Sequence, residues 1–259
     1  MSSLDADLER RFGGLRRLHG VAAYERLRAA RIAVIGVGGV GSWAAEALAR
    51  SGVAALTLID LDHIAESNIN RQIHAIEPTL GQAKVQALKD RIALIHPGCI
   101  VTPIEEFVDE DNVGQLLSAD QVDVVLDCCD QVKAKAALAA WAKVHGRPVV
   151  TVGAAGGKTK PQLVEVADLS EVTHDPLLAS LRQRLRQRHE GARKGAMSVV
   201  CVFSREPVLP PQDAQCELGD ATQGDGSLNC HGYGSSVTVT ATFGFVAASQ
   251  CVNLVIARK

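Results

Sequence analysis

A strand, a glycine cluster and a helix follow one another without a break near the start of the chain, and this succession constrains the fold most. Residues 31–36 form an apolar, strand-like run, Gly36-Val-Gly-Gly-Val-Gly41 follows at once, and 42–51 is rich in Ala and Leu, as a helix is. Backbone N–H groups of such a turn face a phosphate, together with the N-terminus of the helix. The cluster alone fits NAD, FAD or ATP equally, and a glycine-rich turn that serves tight packing has the same pattern.

Strands and helices alternate through the first half of the chain. After short helices within 4–30 and the strand at 31–36, further strands are predicted over 56–60, 99–104, 122–127 and 148–152. The helices between them are predicted over 42–51, 82–96 and 133–145. This alternation is typical of an α/β fold with a doubly wound, mainly parallel sheet and right-handed crossovers.

Beyond residue 153 the alternation weakens. The sequence predicts a strand over 162–166, an arginine-rich helix over 176–189, a strand over 198–203 and a loop-rich segment over 207–236. No linker long enough to separate two domains is present. We therefore expect one domain over 1–259, whose second half completes the same sheet.

Composition narrows the class of protein. The chain is 47% hydrophobic and 22% charged, with a net charge of -2, so it is an ordinary globular protein without a uniformly basic surface. Its seven cysteines include no CxxC pair, which argues against a zinc ribbon and a secreted disulfide framework. The N-terminus is charged and lacks the apolar core of a signal peptide. Together with the cysteine usage, this predicts a cytoplasmic location. The apolar stretch 237–257 is interrupted by Thr, Ser, Gln and Asn, which favours a buried or interface helix over a membrane span.

Polar residues that suit a nucleotide follow the glycine cluster. Asp60 ends the second strand about 20 residues beyond the glycines, where a carboxylate accepts hydrogen bonds from ribose hydroxyls. Arg71 can bind phosphate oxygens as a fork, Lys84 can act as a point charge, and Asn70 can donate through its amide. A triphosphate needs such a set and NAD does not, so ATP is favoured over NAD. The alternative without a ligand is a solvated polar loop with a stray arginine.

Two carboxylates mark the end of the fourth strand, in Asp127-Cys-Cys-Asp130. This is the carboxyl edge of the sheet, where ligands of doubly wound folds bind. Asp130 is suited to Mg²⁺ beside phosphates, because hard cations prefer oxygen ligands. Asp127 fits either the cofactor site or a cap at the strand end.

In their order and spacing these motifs resemble the E1-like adenylating superfamily of ubiquitin-activating, MoeB and ThiF proteins. The resemblance rests on the glycine cluster, Asp60-x-Asp62, Ser67-Asn-x-Asn-Arg-Gln72, Lys84 and Asp127-x-x-Asp130. Further strings, among them Arg11-Phe-Gly-Gly14, Asp175-Pro-Leu-Leu and Val239-Thr-Ala-Thr-Phe-Gly-Phe-Val246, are similar to the bacterial tRNA threonylcarbamoyladenosine dehydratases. The resemblance implies the Rossmann-like E1 adenylating fold, with a helical arm over 1–30, an ATP-binding core over 31–155 and a substrate-binding and dimerisation half over 156–259.

The activity that the resemblance implies is the ATP-dependent cyclisation of N6-threonylcarbamoyladenosine at position 37 of tRNA. The reaction would pass through a carboxyl-adenylate and release pyrophosphate and AMP, so the chain would be an enzyme of the ligase class. ATP and Mg²⁺ are the implied cofactors, without zinc, and a homodimer is the implied assembly. A monovalent cation and a sulfur relay of cysteine desulfurase and acceptor stay open as further partners.

The resemblance also assigns roles to residues. Arg71, Lys84 and Asp130 are the implied catalytic residues, and Asp130 holds Mg²⁺ through ATP. The implied cofactor-binding residues are Gly36, Gly38, Gly39, Gly41, Asp60, Asp62, Asn68, Asn70, Arg71, Gln72, Lys84, Asp127 and Asp130. In related proteins an arginine of the partner's N-terminal arm enters the site. Gly14 stands at that position here, so Arg11, Arg16 or Arg17 would have to replace it.

Other functions share part of the pattern. An activator of a ubiquitin-like sulfur carrier would use the same ATP site, but many such proteins carry zinc pairs and a cysteine after the fifth strand, and this chain has no cysteine over 152–200. An NAD-dependent oxidoreductase, or a nucleotide-binding module without catalysis, would rest on the glycine cluster alone and leaves Arg71, Lys84 and Asp130 without a role.

A basic strip is predicted on the helix over 176–189. Arg182 and Arg186 are one helical turn apart, as are Arg184 and Arg188, and such a strip can neutralise tRNA phosphates. A solvated helix or an ion-pair surface between subunits would have the same composition.

Overall fold

The structure, a computed structural model, describes residues 7–209 and 233–258. In these ranges seven strands form one sheet with the order β3-β2-β1-β4-β5-β7-β6. The strands are β1 (Arg31–Ile35), β2 (Ala55–Ile59), β3 (Ile100–Ile104), β4 (Val124–Asp127), β5 (Val149–Val152), β6 (Val164–Asp168) and β7 (Val200–Ser204). All pairings are parallel except that of β6 with β7. The prediction of a mainly parallel, doubly wound sheet is therefore confirmed, and the second half does complete it.

Helices cover both faces of this sheet. They are α1 (Leu8–His19), α2 (Val21–Ala29), α3 (Gly41–Arg50), α4 (Lys84–Ile95), α5 (Val113–Leu116), α6 (Val132–Val144), α7 (Pro176–Arg188) and α8 (Val237–Ile256). The predicted helices are present, with ends shifted by one or two residues. The helix α5 has four residues, which is too short for a helical period to show in a sequence. The strand β6 begins later than predicted because a 3-10 turn occupies Pro161–Leu163.

The order of the strands determines at which edge of the sheet a ligand can bind. Strand β1 lies between β2 and β4, and the chain leaves β1 towards one side of the sheet and β4 towards the other. A crevice opens at the carboxyl ends of the strands where the order reverses in this way. The glycine cluster after β1, Asp60 after β2 and the segment 128–130 after β4 all lie at that crevice.

The last helix is built into the core. Phe243 is completely buried, and a Cβ added at Gly244 would stand 2.5 Å from the carbonyl oxygen of Val40, so α8 packs directly against the start of α3. Within the described part of the chain α8 is the one helix long and apolar enough to cross a membrane, and 56% of that apolar window is buried inside the protein. Of the predicted alternatives, a buried or an interface helix, the structure shows a helix that is buried over about half of this window.

The N-terminal arm is anchored to the core. Phe12 of α1 is buried, its ring meets that of His96 edge to face at 4.8 Å, and the guanidinium of Arg28 lies 5.1 Å above it. Arg11 donates to the carbonyl of Ile95 at 2.5 Å. Residues 8–29 therefore form two helices that these contacts hold against the core.

Candidate active site

The glycine cluster forms a tight turn held by Asp60. Gly36 has a φ of 78°, and a Cβ at Gly41 would lie 1.9 Å from the carbonyl oxygen of Gly36, so neither position accepts a side chain. Asp60 Oδ2 accepts a hydrogen bond from the N–H of Val37 at 2.8 Å, and Oδ1 accepts one from the N–H of Asp62 at 2.9 Å. The carboxylate predicted to bind ribose thus also fixes the loop in front of it.

A buried lysine faces the same carboxylates. Lys84, the first residue of α4, is 6% exposed, and its Nζ lies 2.6 Å from Asp62 Oδ2 and 3.9 Å from Asp60 Oδ1. Burial raises the pKa of Asp60, and the charge of Lys84 opposes this rise. The arrangement provides a desolvated ammonium group beside the cavity, which is the chemistry needed to stabilise phosphate charge.

The segment 67–72 presents Arg71. Its Nη1 donates to the carbonyl of Ser67 at 2.5 Å and to Asn70 Oδ1 at 3.0 Å. Asn68 Oδ1 accepts the N–H of Ala65 at 3.1 Å and thereby closes the turn before this segment. The guanidinium is therefore held in place before any ligand arrives.

These groups line a cavity of about 340 Å³ at the carboxyl edge of the sheet. The predicted site residues in its wall are Gly36, Gly38, Gly39, Asp60, Asp62, Asn68, Arg71, Gln72, Lys84 and Asp130. The volume lies in the range typical of small-molecule and cofactor sites. The structure therefore brings most of the predicted set to one place.

Comparison with known proteins agrees with this geometry. The model of the ThiF family matches residues 10–259. The chain belongs to the ThiF family. It is 44% identical over 253 residues to the tRNA threonylcarbamoyladenosine dehydratase of Escherichia coli K12, in an alignment that spans 96% of this chain and 94% of that protein.

Solved structures are similar to this chain in fold as well as in sequence. One is the E. coli tRNA N6-threonylcarbamoyladenosine dehydratase, TcdA, in complex with ATP, with a TM-score of 0.86, 41% identity and 98% of both chains covered. Another is the same E. coli protein in complex with AMP, with a TM-score of 0.86, 42% identity, and 99% of this chain and 98% of that one covered. Both likenesses therefore extend through the second half of the chain as well as the first.

Three predicted cofactor-binding residues are not in the cavity wall. Gly41 packs against Gly36 as described, and Asn70 uses its Nδ2 to donate to the carbonyl of Ser235 at 3.0 Å. Asp127 is completely buried behind the wall. For these three the structure shows supporting contacts, and their direct contact with nucleotide stays a prediction.

Asp127 belongs to a buried ion pair that the sequence did not reveal. Lys135 Nζ lies 3.1 Å from Asp127 Oδ2, and it also donates to Thr151 Oγ1 at 3.2 Å and to the carbonyl of Val152 at 2.7 Å. Burial is the largest single effect and lowers the pKa of Lys135, but Asp127 and the neighbouring Cys128 and Cys129 together outweigh it, so the net pKa is raised. The pair joins β4, β5 and α6 beneath the cavity, which makes Asp127 the strand-end support that the sequence allowed as an alternative.

The two cysteines after β4 line the cavity as neutral thiols. Burial and the charge of Asp127 raise the pKa of both Cys128 and Cys129. The thiol of Cys129 donates to Asp127 Oδ1 at 2.7 Å. Since the thiolate is the reactive form, these residues serve packing rather than nucleophilic attack.

Asp130 fits the magnesium role when phosphates are present. It lines the cavity after β4, and no cluster of three His, Cys, Asp or Glu residues able to hold a metal exists among residues 7–209 and 233–258. Mg²⁺ commonly binds through one or two carboxylates together with phosphate oxygens and water. One carboxylate at a phosphate site therefore suits Mg²⁺ delivered with ATP, whereas a resident all-protein metal centre has no ligand set in these ranges.

The four arginines of α7 do not form one free strip. Arg182 donates to the carbonyls of Leu169 and Val172, at 3.0 and 2.7 Å, and Arg186 donates to the carbonyl of Ala192 at 3.1 Å. Arg184 pairs with Glu110 at 2.6 Å. Arg188 is the exposed one of the four. The prediction of a tRNA contact therefore concentrates on Arg188.

The far half of the cavity comes from elements that the sequence did not assign to the site. Its wall includes Phe107, the segment 152–156, Pro176 and Leu177 at the start of α7, Tyr233 and Thr240. Pro176, Leu177 and Thr240 lie in strings that carry the family resemblance, but no role in the site was assigned to them, because backbone and apolar groups form most of this surface. The break in the sequence pattern after residue 153 was the available signal, since β5 ends just before it and irregular backbone follows.

Proposed function

We propose that this chain catalyses the ATP-dependent dehydration of N6-threonylcarbamoyladenosine at position 37 of tRNA. The observation that carries the proposal is the convergence of Lys84, Arg71 and Asp60 on one cavity, in a chain that matches 94% of the length of a tRNA threonylcarbamoyladenosine dehydratase. The wall of that cavity also includes Phe107, Leu177 and Tyr233, which are separate from the predicted nucleotide-binding residues and would face the acceptor.

The first step of the proposed reaction activates a carboxylate. An oxygen of the threonyl carboxylate attacks the α-phosphorus of ATP, and the bond to the β-phosphate oxygen breaks, so an acyl-adenylate and pyrophosphate form. Lys84 and Arg71 stabilise the charge on the phosphates, and Asp60 binds the ribose. Mg²⁺, held by Asp130 and phosphate oxygens, would neutralise further charge on the triphosphate.

The second step closes a five-membered ring. The carbamoyl group attacks the activated carbonyl of the same substituent and loses one proton, while AMP leaves with the former carboxylate oxygen. Net loss of water from the nucleoside is thereby coupled to cleavage of ATP into AMP and pyrophosphate. An intramolecular nucleophile needs little further catalysis, because its effective concentration is very high.

Direct use of the adenylate is supported by the cysteine chemistry of the site. Cys128 and Cys129 line the cavity with raised pKa values, and residues 152–200 contain no cysteine to accept an acyl group. A thioester relay has no suitable nucleophile in these positions. This favours cyclisation within one substrate over transfer to a carrier protein.

Location, oligomeric state, tRNA contact and cofactors are also part of the proposal. We propose a cytoplasmic homodimer that binds tRNA through Arg188 and neighbouring surface, with Mg²⁺ and ATP as cofactors. A monovalent cation and sulfur-relay partners, a cysteine desulfurase and its acceptor, are compatible with the proposal and are not required by it.

The test is a mass measurement on the product nucleoside. The purified protein is incubated with Mg-ATP and tRNA that carries threonylcarbamoyladenosine, and the tRNA is digested gently. The proposal predicts a nucleoside lighter by one water that depends on ATP and disappears in Lys84→Ala. An unchanged nucleoside, with pyrophosphate exchange that requires a Gly-Gly carrier protein, would instead assign the chain to carrier activation.

A further inference from the structure

The helix α8 brings an unpaired hydroxyl into the cavity wall. Thr240 lines the cavity and is 3% exposed, and its Oγ1 has no hydrogen-bond partner among the described residues. A buried hydroxyl without a partner lowers stability, because it gives up water and gains nothing in exchange. Such a group in the wall of a cavity points to a ligand that completes its hydrogen bond.

A neighbouring threonine shows that a threonine hydroxyl on this helix can find a hydrogen-bond partner in the helix backbone. Thr242, two residues further on, donates from Oγ1 to the carbonyl of Thr238, one turn earlier, at 2.7 Å. The equivalent acceptor for Thr240 is the carbonyl of Ser236, which takes the backbone N–H of Thr240 at 3.0 Å but not its hydroxyl. Buried threonines in helices commonly use that back-bond. Thr240 leaves it unused.

Thr240 lies beside the glycine cluster in the cavity wall. Its Cγ2 is 3.4 Å from the position that a Cβ of Gly39 would take, and that position is also 3.4 Å from Arg71 Cδ. The chain just before α8 closes on the far half, since Tyr233 Cβ lies 3.5 Å from the corresponding Cβ position of Gly156. Thr240 thus lies beside the glycine cluster through its methyl group, in the wall of the same cavity that Tyr233 and Gly156 line.

A second unpaired group restricts the chemistry of the ligand. Gln72 is 6% exposed and lines the same cavity, and its Oε1 also lacks a partner within the described ranges. A carbonyl oxygen needs an N–H or O–H donor, which phosphate groups do not supply. A group that combines an oxygen acceptor with an N–H donor, as a carbamoyl amino acid does, matches both; a ribose hydroxyl of ATP does so too, and measuring ATP affinity distinguishes the two.

We propose that Thr240 Oγ1 donates a hydrogen bond to a carboxylate oxygen of the substrate's threonylcarbamoyl group and orients this carboxylate for attack on the α-phosphate. The inference rests on the proposed function and names a substrate-binding residue for the same reaction. Donation to one oxygen leaves the other free to bond to phosphorus. The bond persists to the acyl carbonyl of the adenylate, so it also holds the carbonyl for ring closure.

The variant Thr240→Val tests this role because it removes the hydroxyl and keeps the shape. We expect turnover of modified tRNA at saturating substrate to fall about tenfold or more, as for loss of a hydrogen bond to a charged group. ATP binding without tRNA should stay unchanged. The thermal midpoint should stay equal or rise, because the variant buries no unpaired hydroxyl. Thr240→Ser should restore turnover, and Thr242→Val on the same helix should leave it at the wild-type value.

Three outcomes would overturn the inference. Wild-type turnover in Thr240→Val would show that the hydroxyl does not contact the reacting group. A matching loss of ATP affinity would assign it to the nucleotide, and a lowered thermal midpoint restored by Thr240→Ser would assign it to the fold. Failure of the wild-type protein to dehydrate modified tRNA would reject the proposed function itself, and this result is visible before any variant is made.

Discussion

The indole of Trp43 donates from Nε1 to the backbone carbonyl of Arg71 at 2.9 Å. Trp43 is on α3, directly behind the glycine cluster, so this bond connects the loop that approaches the nucleotide with the loop that presents the guanidinium. Trp43 therefore positions the segment that carries Arg71.

Replacing Trp43 with Phe should weaken ATP binding. The variant keeps an aromatic ring but removes the donor, so the carbonyl of Arg71 loses its partner and the segment 67–72 gains freedom. We expect a loss of about 1 kcal/mol, or about fivefold in ATP affinity, measured by calorimetry. Trp141→Phe is the control, because Trp141 stacks on His145 away from the cavity wall. Equal effects of the two variants would contradict the positioning role.

Removal of the ammonium group of Lys84 should abolish adenylation while the fold persists. Lys84→Met keeps the length of the side chain and leaves Asp60 and Asp62 without their cation. We expect modified-tRNA-dependent ATP–pyrophosphate exchange to fall about 100-fold or more. Lys89→Met, on the same helix and outside the cavity wall, should retain exchange. Retained exchange in Lys84→Met would remove this lysine from the phosphate site.

Breaking the buried pair of Asp127 and Lys135 should destabilise the protein strongly. Lys135→Met leaves a completely buried carboxylate without its counter-ion, and such changes cost about 3–5 kcal/mol of the free energy of unfolding. Urea denaturation measures the loss. The double variant Asp127→Asn with Lys135→Met should recover part of it, since no unpaired charge remains. A small loss in the single variant would mean that Asp127 contacts solvent or ligand.

Stability should fall on mild acidification because of His74. Burial, then the charges of Lys84 and Arg91, lower the pKa of His74 to about 4 from 6.5. Between these values the unfolded chain binds a proton that the folded chain does not, so stability is complete above pH 6.5 and decreases as the pH falls towards 4. At about pH 5 the loss is about 2 kcal/mol. His74→Leu should reduce the difference in urea midpoint between about pH 7 and about pH 5, and an undiminished difference would refute the assignment.

Charge reversal at Arg188 should weaken tRNA binding and spare ATP binding. Arg188 is exposed, whereas its three neighbours on α7 are engaged within the chain. In Arg188→Glu we expect lower tRNA affinity. The slope of log affinity against log salt concentration should also become smaller, by about one unit for each phosphate that is no longer neutralised. The exposed Gln187→Ala is the control on the same helix. Unchanged tRNA affinity would show that α7 serves another surface.

Local signals made most of the fold and the nucleotide half of the site predictable. The glycine cluster, Asp60 and Lys84 lie next to strand and helix boundaries that periodicity reveals, and strand order then brings them together. The direction of the Asp127 side chain was not predictable, because it depends on Lys135 from α6 and Thr151 from β5. Asn70 likewise bonds to Ser235, 165 residues away in sequence. Such pairings arise from tertiary packing, which no local pattern records.

The position of α8 has a consequence for biosynthesis. Every strand that this helix covers, and every motif of the nucleotide half, leaves the ribosome before it. Until α8 arrives, the sheet face that later receives Phe243 and Cys251 is open and apolar, and nascent or prematurely terminated chains carry it exposed. The helix that supplies Thr240 is also the element that covers this face, so the cavity is completed in the same event that removes the aggregation-prone surface of the growing polypeptide.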